Sequence, residues 1–222
     1  MKTNFLSNDA IHATSVTGKS KIIGIAYNYP GVGQHNDNDC FEPLCFLKGL
    51  VEYSVRMKPN IRLPKYLMPD RVWVEVELAA VIGEKIYQVT EVEALAAIES
   101  VVIANDITAS NILGRDHHLL RSKGLPGFTF LGSNFSSDIL LYEDKSCHLE
   151  INGRIFQRDN LKNRFLNTAQ CVSLASLMVP LFPGDIVLTG TPPNAMNCVV
   201  KVGDEVSFAI AGLEEVRLNV TE

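Results

Sequence analysis

The sequence predicts a β-rich α+β fold in which short strands outnumber helices. Most of its apolar runs are short, rich in β-branched residues and closed by Gly, Pro, Asn or Asp, as is typical of strands. The dipeptide Asn152-Gly153 separates two such runs and is a strong hairpin signal. Helical patterns are confined to two stretches, so strands should form most of the core.

Residues 21–83 are predicted to contain three strands. Residues 21–27 (KIIGIAY) form a buried strand, and residues 44–48 (LCFLK) form a short one that ends at Lys48. A loop rich in Gly, Pro, Asn and Asp separates them. Residues 72–83 (VWVEVELAAVIG) predict the central strand, closed by Gly83. Both of its faces are mostly apolar, so we expect it to be buried on both sides.

The remaining elements follow in order. A capping box at Thr90 begins a helix over residues 91–100, and residues 101–108 form a return strand. Hairpin strands at 147–151 and 154–157 precede a second helix, which is capped at Asn167 or Thr168 and ends at Met178. Further strands are expected at residues 186–189, 205–210 and 215–220. The expected inward residues are Val92, Leu95, Ala96 and Ile98 in the first helix, and Cys171, Leu174, Ala175 and Met178 in the second.

Two carboxylates lie on one face of the predicted central strand. Alternate strand residues share a face, and the Cβ atoms of Glu75 and Glu77 are then roughly 7 Å apart. The return strand VVIAND ends in a third carboxylate, Asp106. Grouped buried carboxylates are costly unless a cation offsets them, and three oxygen donors suit Mg²⁺, with Mn²⁺ or Ca²⁺ as alternatives. An ordinary solvated strand face is the competing interpretation.

Composition limits the classes of function. The 222 residues suffice for one substantial core, so we expect a single domain over 1–222, with 1–20 as a lead-in. A net charge of −5 argues against nucleic-acid binding. The sequence has no apolar run of membrane-spanning length and no signal-peptide pattern. The five cysteines form no CxxC pair, which indicates reduced thiols and a cytoplasmic location.

An ordered set of motifs resembles the fumarylacetoacetate hydrolase family. The set comprises the ExE strand, AND followed by ITA, the hairpin NGRIFQ, PGDIVLTGTP at 183–192 and VGDEVSFAI at 202–210. The resemblance implies a mixed β-roll or distorted sandwich like the C-terminal domain of that family. It assigns Glu75, Glu77 and Asp106 to metal binding and implies a homodimer. It also implies a Mg²⁺-dependent hydrolase that cleaves a carbon–carbon bond of a small diketo or 2-keto acid of the acylpyruvate type. Alternatives within the family are an isomerase of 2-hydroxy-dienedioates and an oxaloacetate-type decarboxylase.

The chain departs from the family pattern at two places. Alignment on the first strand puts Pro30 and Gly33 at the usual His/Glu dyad, and an alternative alignment makes His35 the catalytic base. Ser110 stands where the family has an Arg, which Arg115 or Arg121 could replace. These losses leave open a non-catalytic descendant that only binds metal and ligand.

Other expected site residues follow from the same resemblance. Lys123 is the nearest match to a substrate-facing family lysine and is a candidate catalytic residue, while Lys48 and Thr191 are candidate substrate contacts. Residues 111–127 fit either a lid or an ordinary surface loop.

Overall fold

Two sheets packed against each other, together with short helices, form the described part of the chain. The computed structural model describes residues 15–32, 43–55, 60–63, 71–110 and 116–222. Leu78 and Ile103 of the first sheet and Leu149 and Phe208 of the second belong to one buried apolar cluster. The predicted fold class, a β-rich α+β domain, is therefore confirmed.

The first sheet has six strands in the order β2-β1-β11-β5-β6-β8. Its strands are β1 (Lys21–Ala26), β2 (Leu44–Leu50), β5 (Val76–Ile82), β6 (Ile98–Asp106), β8 (Thr129–Leu131) and β11 (Ile186–Leu188). Although β2 and β8 lie at opposite edges, Val55, shortly after β2, bridges Thr129 of β8. The sheet is therefore curled, and its concave face encloses a second apolar cluster with Ala79, Val81 and Ala104.

The second sheet has five strands in the order β10-β9-β12-β13-β3. They are β3 (Asn60–Arg62), β9 (Ser146–Ile151), β10 (Arg154–Asn160), β12 (Glu205–Ile210) and β13 (Glu215–Thr221). The β9–β10 hairpin turns at Asn152 and Gly153, which both have positive φ angles, as the predicted Asn-Gly turn requires.

Four α-helices lie within the described residues. They are α1 (Val51–Ser54), α2 (Glu91–Ala97), α3 (Leu120–Lys123) and α4 (Thr168–Met178). Thr90 and Asn167 each begin their helix with a complete capping box. No helix within the described ranges is long and apolar enough to cross a membrane.

The predicted central strand is interrupted. Its first residues form β4 (Val72–Trp73), which pairs with β7 (Thr108–Ala109) in a separate two-stranded sheet. The Val74 amide then donates to the carbonyl of Cys198, and regular pairing with β6 resumes at Val76. The interruption lies beside Glu75, where the chain passes from the small sheet to the large one.

The predicted helix faces are partly wrong. In α2, Val92 is 79% exposed and Ala96 is also exposed, whereas Ala94 and Ala97 are buried. Ile98 is buried, but as the first residue of β6. The predicted helix therefore extends into residues that form a strand. In α4, Cys171 and Ala175 are buried as expected and Leu174 is half-buried. Met178 is exposed, and Val172 and Ser176 are buried in its place, because α4 contacts α2 on one side and β1 and β11 on another.

Candidate metal and substrate site

Three carboxylates meet at one end of the concave face of the curled sheet. Glu77 lies in β5 beside Ala104 of β6, and the Asp106 amide donates to the carbonyl of Glu75 at 3.0 Å. One carboxylate oxygen from each of Glu75, Glu77 and Asp106 lies within 4.8 Å of the others. All three residues are buried, at 7%, 4% and 1% exposure. The convergence predicted from the strand pattern is therefore present, whereas the metal-binding role stays a prediction.

Neighbouring donors fix the orientation of both glutamates. Glu75 Oε1 accepts from the indole of Trp73 at 2.7 Å and from the hydroxyl of Thr108 at 2.8 Å. Glu77 Oε2 accepts from the backbone amide of Gly190 at 2.7 Å. These bonds hold the carboxylates in place before any ligand binds, as a pre-organised site requires.

Two buried lysines contact the same carboxylates. Lys123 Nζ donates to Asp106 Oδ2 at 2.7 Å and to Glu75 Oε2 at 3.0 Å. Lys48 Nζ donates to Asp106 Oδ1 and, at 3.0 Å, to the carbonyl of Ile107. The structure thus brings both predicted lysines to the acidic cluster. Lys123 comes from α3, so the segment that contains residues 111–127 contributes to the site through this helix.

The shifts in pKa follow from burial and these ion pairs. Burial and the charges of Asp106 and Glu75 raise the pKa of Glu77 well above its usual range. Burial alone would raise the pKa of Asp106, but Lys123 and Lys48 outweigh it and lower that pKa. Burial likewise opposes the charge of Lys123, yet Asp106 and Glu75 raise its pKa above the ordinary value. The pKa of Lys48 is lowered because its burial outweighs the attraction of Asp106.

The donor set fits a hard divalent cation. All three candidate ligands are carboxylates, and oxygen is the donor that Mg²⁺, Mn²⁺ and Ca²⁺ prefer. Counting formal charges, three carboxylates and two ammonium groups leave the cluster at −1. A divalent cation would turn this to +1, so the site would then favour an anionic ligand.

Thr191 directly follows Gly190, whose amide donates to Glu77. Its hydroxyl accepts from Gln157 Nε2 at 2.9 Å, and the carbonyl of Pro192 accepts from the same nitrogen at 2.7 Å. Gln157 Oε1 in turn accepts from the amide of Val76 at 3.2 Å. Gln157 therefore ties the turn that contains Thr191 to the strand that carries Glu77.

Other candidate residues lie outside the described residues or have contacts outside the acidic cluster. His35 and Arg115 lie outside the described residues. Arg121 is exposed on α3, and Ser110 accepts a hydrogen bond from the amide of Arg71. Their predicted roles therefore stay predictions.

Several residues of the site were not predicted. Trp73 and Thr108 each stand two residues from a predicted ligand, so strand alternation was a signal that would have found them. The contacts of Gly190 and Gln157 join residues far apart in sequence, and no local pattern indicates them.

Comparison with known proteins identifies the family of this chain. The family model for the C-terminal region of fumarylacetoacetate (FAA) hydrolase matches residues 21–221. The chain belongs to the fumarylacetoacetate hydrolase family. The family resemblance expected from the motifs is thereby confirmed, over nearly the whole chain.

Relatives in this family include enzymes of different reaction types. A 2,4-didehydro-3-deoxy-L-rhamnonate hydrolase of Sphingomonas sp. (strain SKA58) is 32% identical over 223 residues, which cover 95% of this chain and 76% of that protein. A mitochondrial oxaloacetate tautomerase of Arabidopsis thaliana is 30% identical over 207 residues, covering 90% of each. The family thus includes both hydrolases and tautomerases.

Solved structures of the family share this fold. The crystal structure of fumarylpyruvate hydrolase from Pseudomonas aeruginosa, in complex with Mn²⁺ and pyruvate, matches with a TM-score of 0.80. The two sequences are 21% identical, and the match covers 91% of this chain and 90% of that chain. At this identity the likeness supports the fold alone.

Proposed function

We propose that this protein is a divalent-cation-dependent enzyme that hydrolyses a carbon–carbon bond of a small diketo or 2-keto acid of the acylpyruvate type. One observation carries the proposal: three buried carboxylates converge within 4.8 Å beside two buried lysines. Glu75, Glu77 and Asp106 would hold the cation, with Mg²⁺ as the first choice and Mn²⁺ or Ca²⁺ as alternatives. The Mn²⁺ and pyruvate bound by the Pseudomonas relative are consistent with this assignment.

A bound divalent cation would supply a Lewis acid for adjacent carbonyl and carboxylate oxygens of the substrate. The ammonium of Lys123, which is held against Asp106 and Glu75, would stabilise negative charge that develops on a substrate oxygen. Lys48 and Thr191 would contact the substrate. Because the cluster is buried, these charges act in a medium of lower dielectric constant than water, and their interactions with a substrate are stronger there.

The proposed hydrolysis has a defined bond balance. His35 would accept a proton from a water molecule, and the oxygen of that water would bond to the distal carbonyl carbon. The bond from that carbon to the methylene then breaks, and its electron pair stays on the pyruvate fragment as an enolate. Transfer of that proton from His35 to the enolate carbon would yield pyruvate and restore neutral His35, and the other fragment would leave as a carboxylic acid.

Keto–enol tautomerisation is the second candidate reaction. The sequence lacks the family's usual His/Glu dyad at Pro30 and Gly33, and tautomerisation moves a proton without consuming water. The tautomerase from Arabidopsis thaliana supports this alternative. Isomerisation of a 2-hydroxy-dienedioate and decarboxylation of oxaloacetate are related reactions, since each also passes through an enolate.

A screen of keto acids tests the proposal. EDTA-stripped protein is assayed with acylpyruvates and oxaloacetate, with and without Mg²⁺, Mn²⁺ or Ca²⁺. We expect turnover that requires added cation, disappears with excess EDTA and returns when cation is restored. Turnover that is indifferent to EDTA would contradict the proposed mechanism. Cation binding without turnover of any keto acid would favour the non-catalytic alternative.

A further inference from the structure

A buried arginine, Arg164, takes no part in the proposed chemistry. The side chain of Arg164, between β10 and α4, is 1% exposed. Its guanidinium donates to Glu143 Oε2 at 2.7 Å, to Thr189 Oγ1 at 2.8 Å and to the carbonyl of Leu161 at 2.9 Å. Two longer bonds of 3.3 Å reach the hydroxyl of Thr168.

Stability alone is a weak explanation for this arrangement. A buried ion pair pays a desolvation penalty that apolar side chains of similar volume avoid, so such a pair is poor evidence of a stabilising role. Glu143, whose side chain is 25% exposed, also accepts from the amide of Thr168 at 3.1 Å. The pair therefore fixes the guanidinium between the first residue of α4 and the end of β11, and the rigid fork of Arg suits such multiple contacts.

The segment that Arg164 contacts also holds a predicted metal ligand. The hydroxyl of Thr189 accepts from Arg164 and donates to the carbonyl of Leu78 at 2.8 Å. The carbonyl of Thr189 accepts from Asn28 Nδ2 at 2.8 Å. The next residue, Gly190, donates its amide to Glu77 Oε2. The residue that Arg164 contacts is thus the immediate neighbour of the residue whose amide orients Glu77.

The direction of the Gly190 N–H depends on the backbone conformation of Thr189, because one planar peptide bond joins the two residues. Gly190 has a φ of +92°, and the chain turns there between β11 and the site. A hydrogen bond weakens steeply as it departs from alignment, so a small rotation at Thr189 would weaken the bond to Glu77.

We propose that Arg164 is a positioning residue for Glu77. Through the hydroxyl of Thr189, it fixes the Gly190 amide that holds the Glu77 carboxylate in its cation-binding orientation. This inference rests on the proposed cation site, and it adds a residue that contacts neither substrate nor cation.

Calorimetric titration with Mn²⁺ tests this role in Arg164→Met and Thr189→Val. Met fills the volume of Arg without donors, and Val keeps the shape of Thr without the hydroxyl. We expect Mn²⁺ affinity to fall about 10-fold in each, the lower end of what loss of groups that orient metal ligands costs. Val206→Ala, in the core of the second sheet, is the control for lost stability. It should lower the melting temperature and leave affinity unchanged when all titrations are run well below every melting temperature.

The outcomes separate this inference from the proposed function. If Arg164→Met folds and binds Mn²⁺ like the wild type, the positioning role is wrong and the cation site stands. An equal loss of affinity in Val206→Ala would overturn the role as well, because general destabilisation would explain it. A wild-type protein that binds no Mn²⁺ would overturn the cation site and this role together. Should Arg164→Met fail to fold, Thr189→Val decides, since it leaves the ion pair with Glu143 intact.

Discussion

At the residue scale, Asp106 has two ammonium partners, whereas Glu77 has a single backbone amide. Burial acts to raise the pKa of both carboxyls, but the two ammonium groups outweigh it at Asp106, whose pKa is lowered, whereas the charges of Asp106 and Glu75 add to it at Glu77, whose pKa is raised. A bound cation would therefore stabilise the charged form of Glu77. Substitutions at the charged residues should separate cation binding from catalysis.

Glu77→Gln should weaken Mn²⁺ binding by at least about 100-fold, beyond the cost of losing an indirect contact. The amide keeps the shape of the side chain but removes one of three anionic donors. Turnover should be lost with it. Calorimetric titration measures the affinity, and Glu84→Gln, an exposed substitution just after β5, is the matched control. If Glu77→Gln binds Mn²⁺ with the affinity of the wild type, Glu77 is not a ligand of the cation.

Lys123→Met should affect turnover and cation binding differently. Loss of the ammonium should lower turnover by about 10²–10³-fold, as for other groups that stabilise developing negative charge. Mn²⁺ affinity should not fall, because Lys123 competes for oxygens of Glu75 and Asp106. Steady-state kinetics and titration of the same preparation test this, with the exposed Lys85→Met as control. Unchanged turnover in Lys123→Met would refute a catalytic role.

His35→Ala tests the proposed general base. Turnover should fall by about 10²–10⁴-fold, the usual contribution of such a group. Mn²⁺ affinity should stay the same, since His35 is not a proposed ligand. His148→Ala, on β9 of the second sheet, is the control. If turnover survives in His35→Ala, the base lies elsewhere or the reaction needs none.

At the element scale, pairing between β5 and β6 brings the acidic residues together, and the turn after β11 completes the site. That turn depends on Gly190. A Cβ at this position would lie 2.9 Å from both Asn28 Cβ and the carbonyl oxygen of Ile25. The turn therefore couples local backbone geometry to the orientation of Glu77.

Gly190→Ala should destabilise the fold by about 1–3 kcal/mol, the typical cost of backbone strain. It should also weaken Mn²⁺ binding, because the displaced amide no longer holds Glu77. Gly203→Ala is a matched control, with a φ of +94° and no atom within 4 Å of the added Cβ. Urea unfolding should show a lower free energy of unfolding in both variants. Titration should show weaker Mn²⁺ binding only in Gly190→Ala. Equal Mn²⁺ affinity in the two variants would show that this turn does not orient Glu77.

Most of the strands and the acidic cluster could be predicted from the sequence because both depend on local alternation, whereas β3 and β8 were not predicted. Glu75, Glu77 and Asp106 could be found because β5 and β6 are neighbours in sequence and in space. The exposed side of α2 could not be predicted, since Val92 is apolar yet faces away from the core. The link from Arg164 to Thr189 spans 25 positions and depends on tertiary packing, which leaves no periodic signal.

At the scale of the whole molecule, the curled sheet places the charged cluster at one end of an apolar interior. Ala79, Val81 and Ala104 occupy the same concave face as the carboxylates, and each is 0% exposed. Such an interior keeps water from the side of the cluster that faces it. The rigid sheets fix the carboxylates, while α3 contributes Lys123 from outside the sheet.

The assembly predicted from the family resemblance is a homodimer. Light scattering after gel filtration at micromolar concentration should give twice the chain mass of 24.5 kDa. A closed two-fold interface is the commonest arrangement for such an assembly. A mass of one chain across this concentration range would contradict the prediction.

Anomalous diffraction from a crystal soaked in Mn²⁺ tests the central claim most directly. We predict one strong peak bound by carboxylate oxygens of Glu75, Glu77 and Asp106, at roughly 2.0–2.6 Å, the range of hard divalent cations and oxygen. The peak should vanish in Glu77→Gln crystals grown and soaked in the same way. A cation bound elsewhere, or none at these carboxylates at saturating Mn²⁺, would contradict the account.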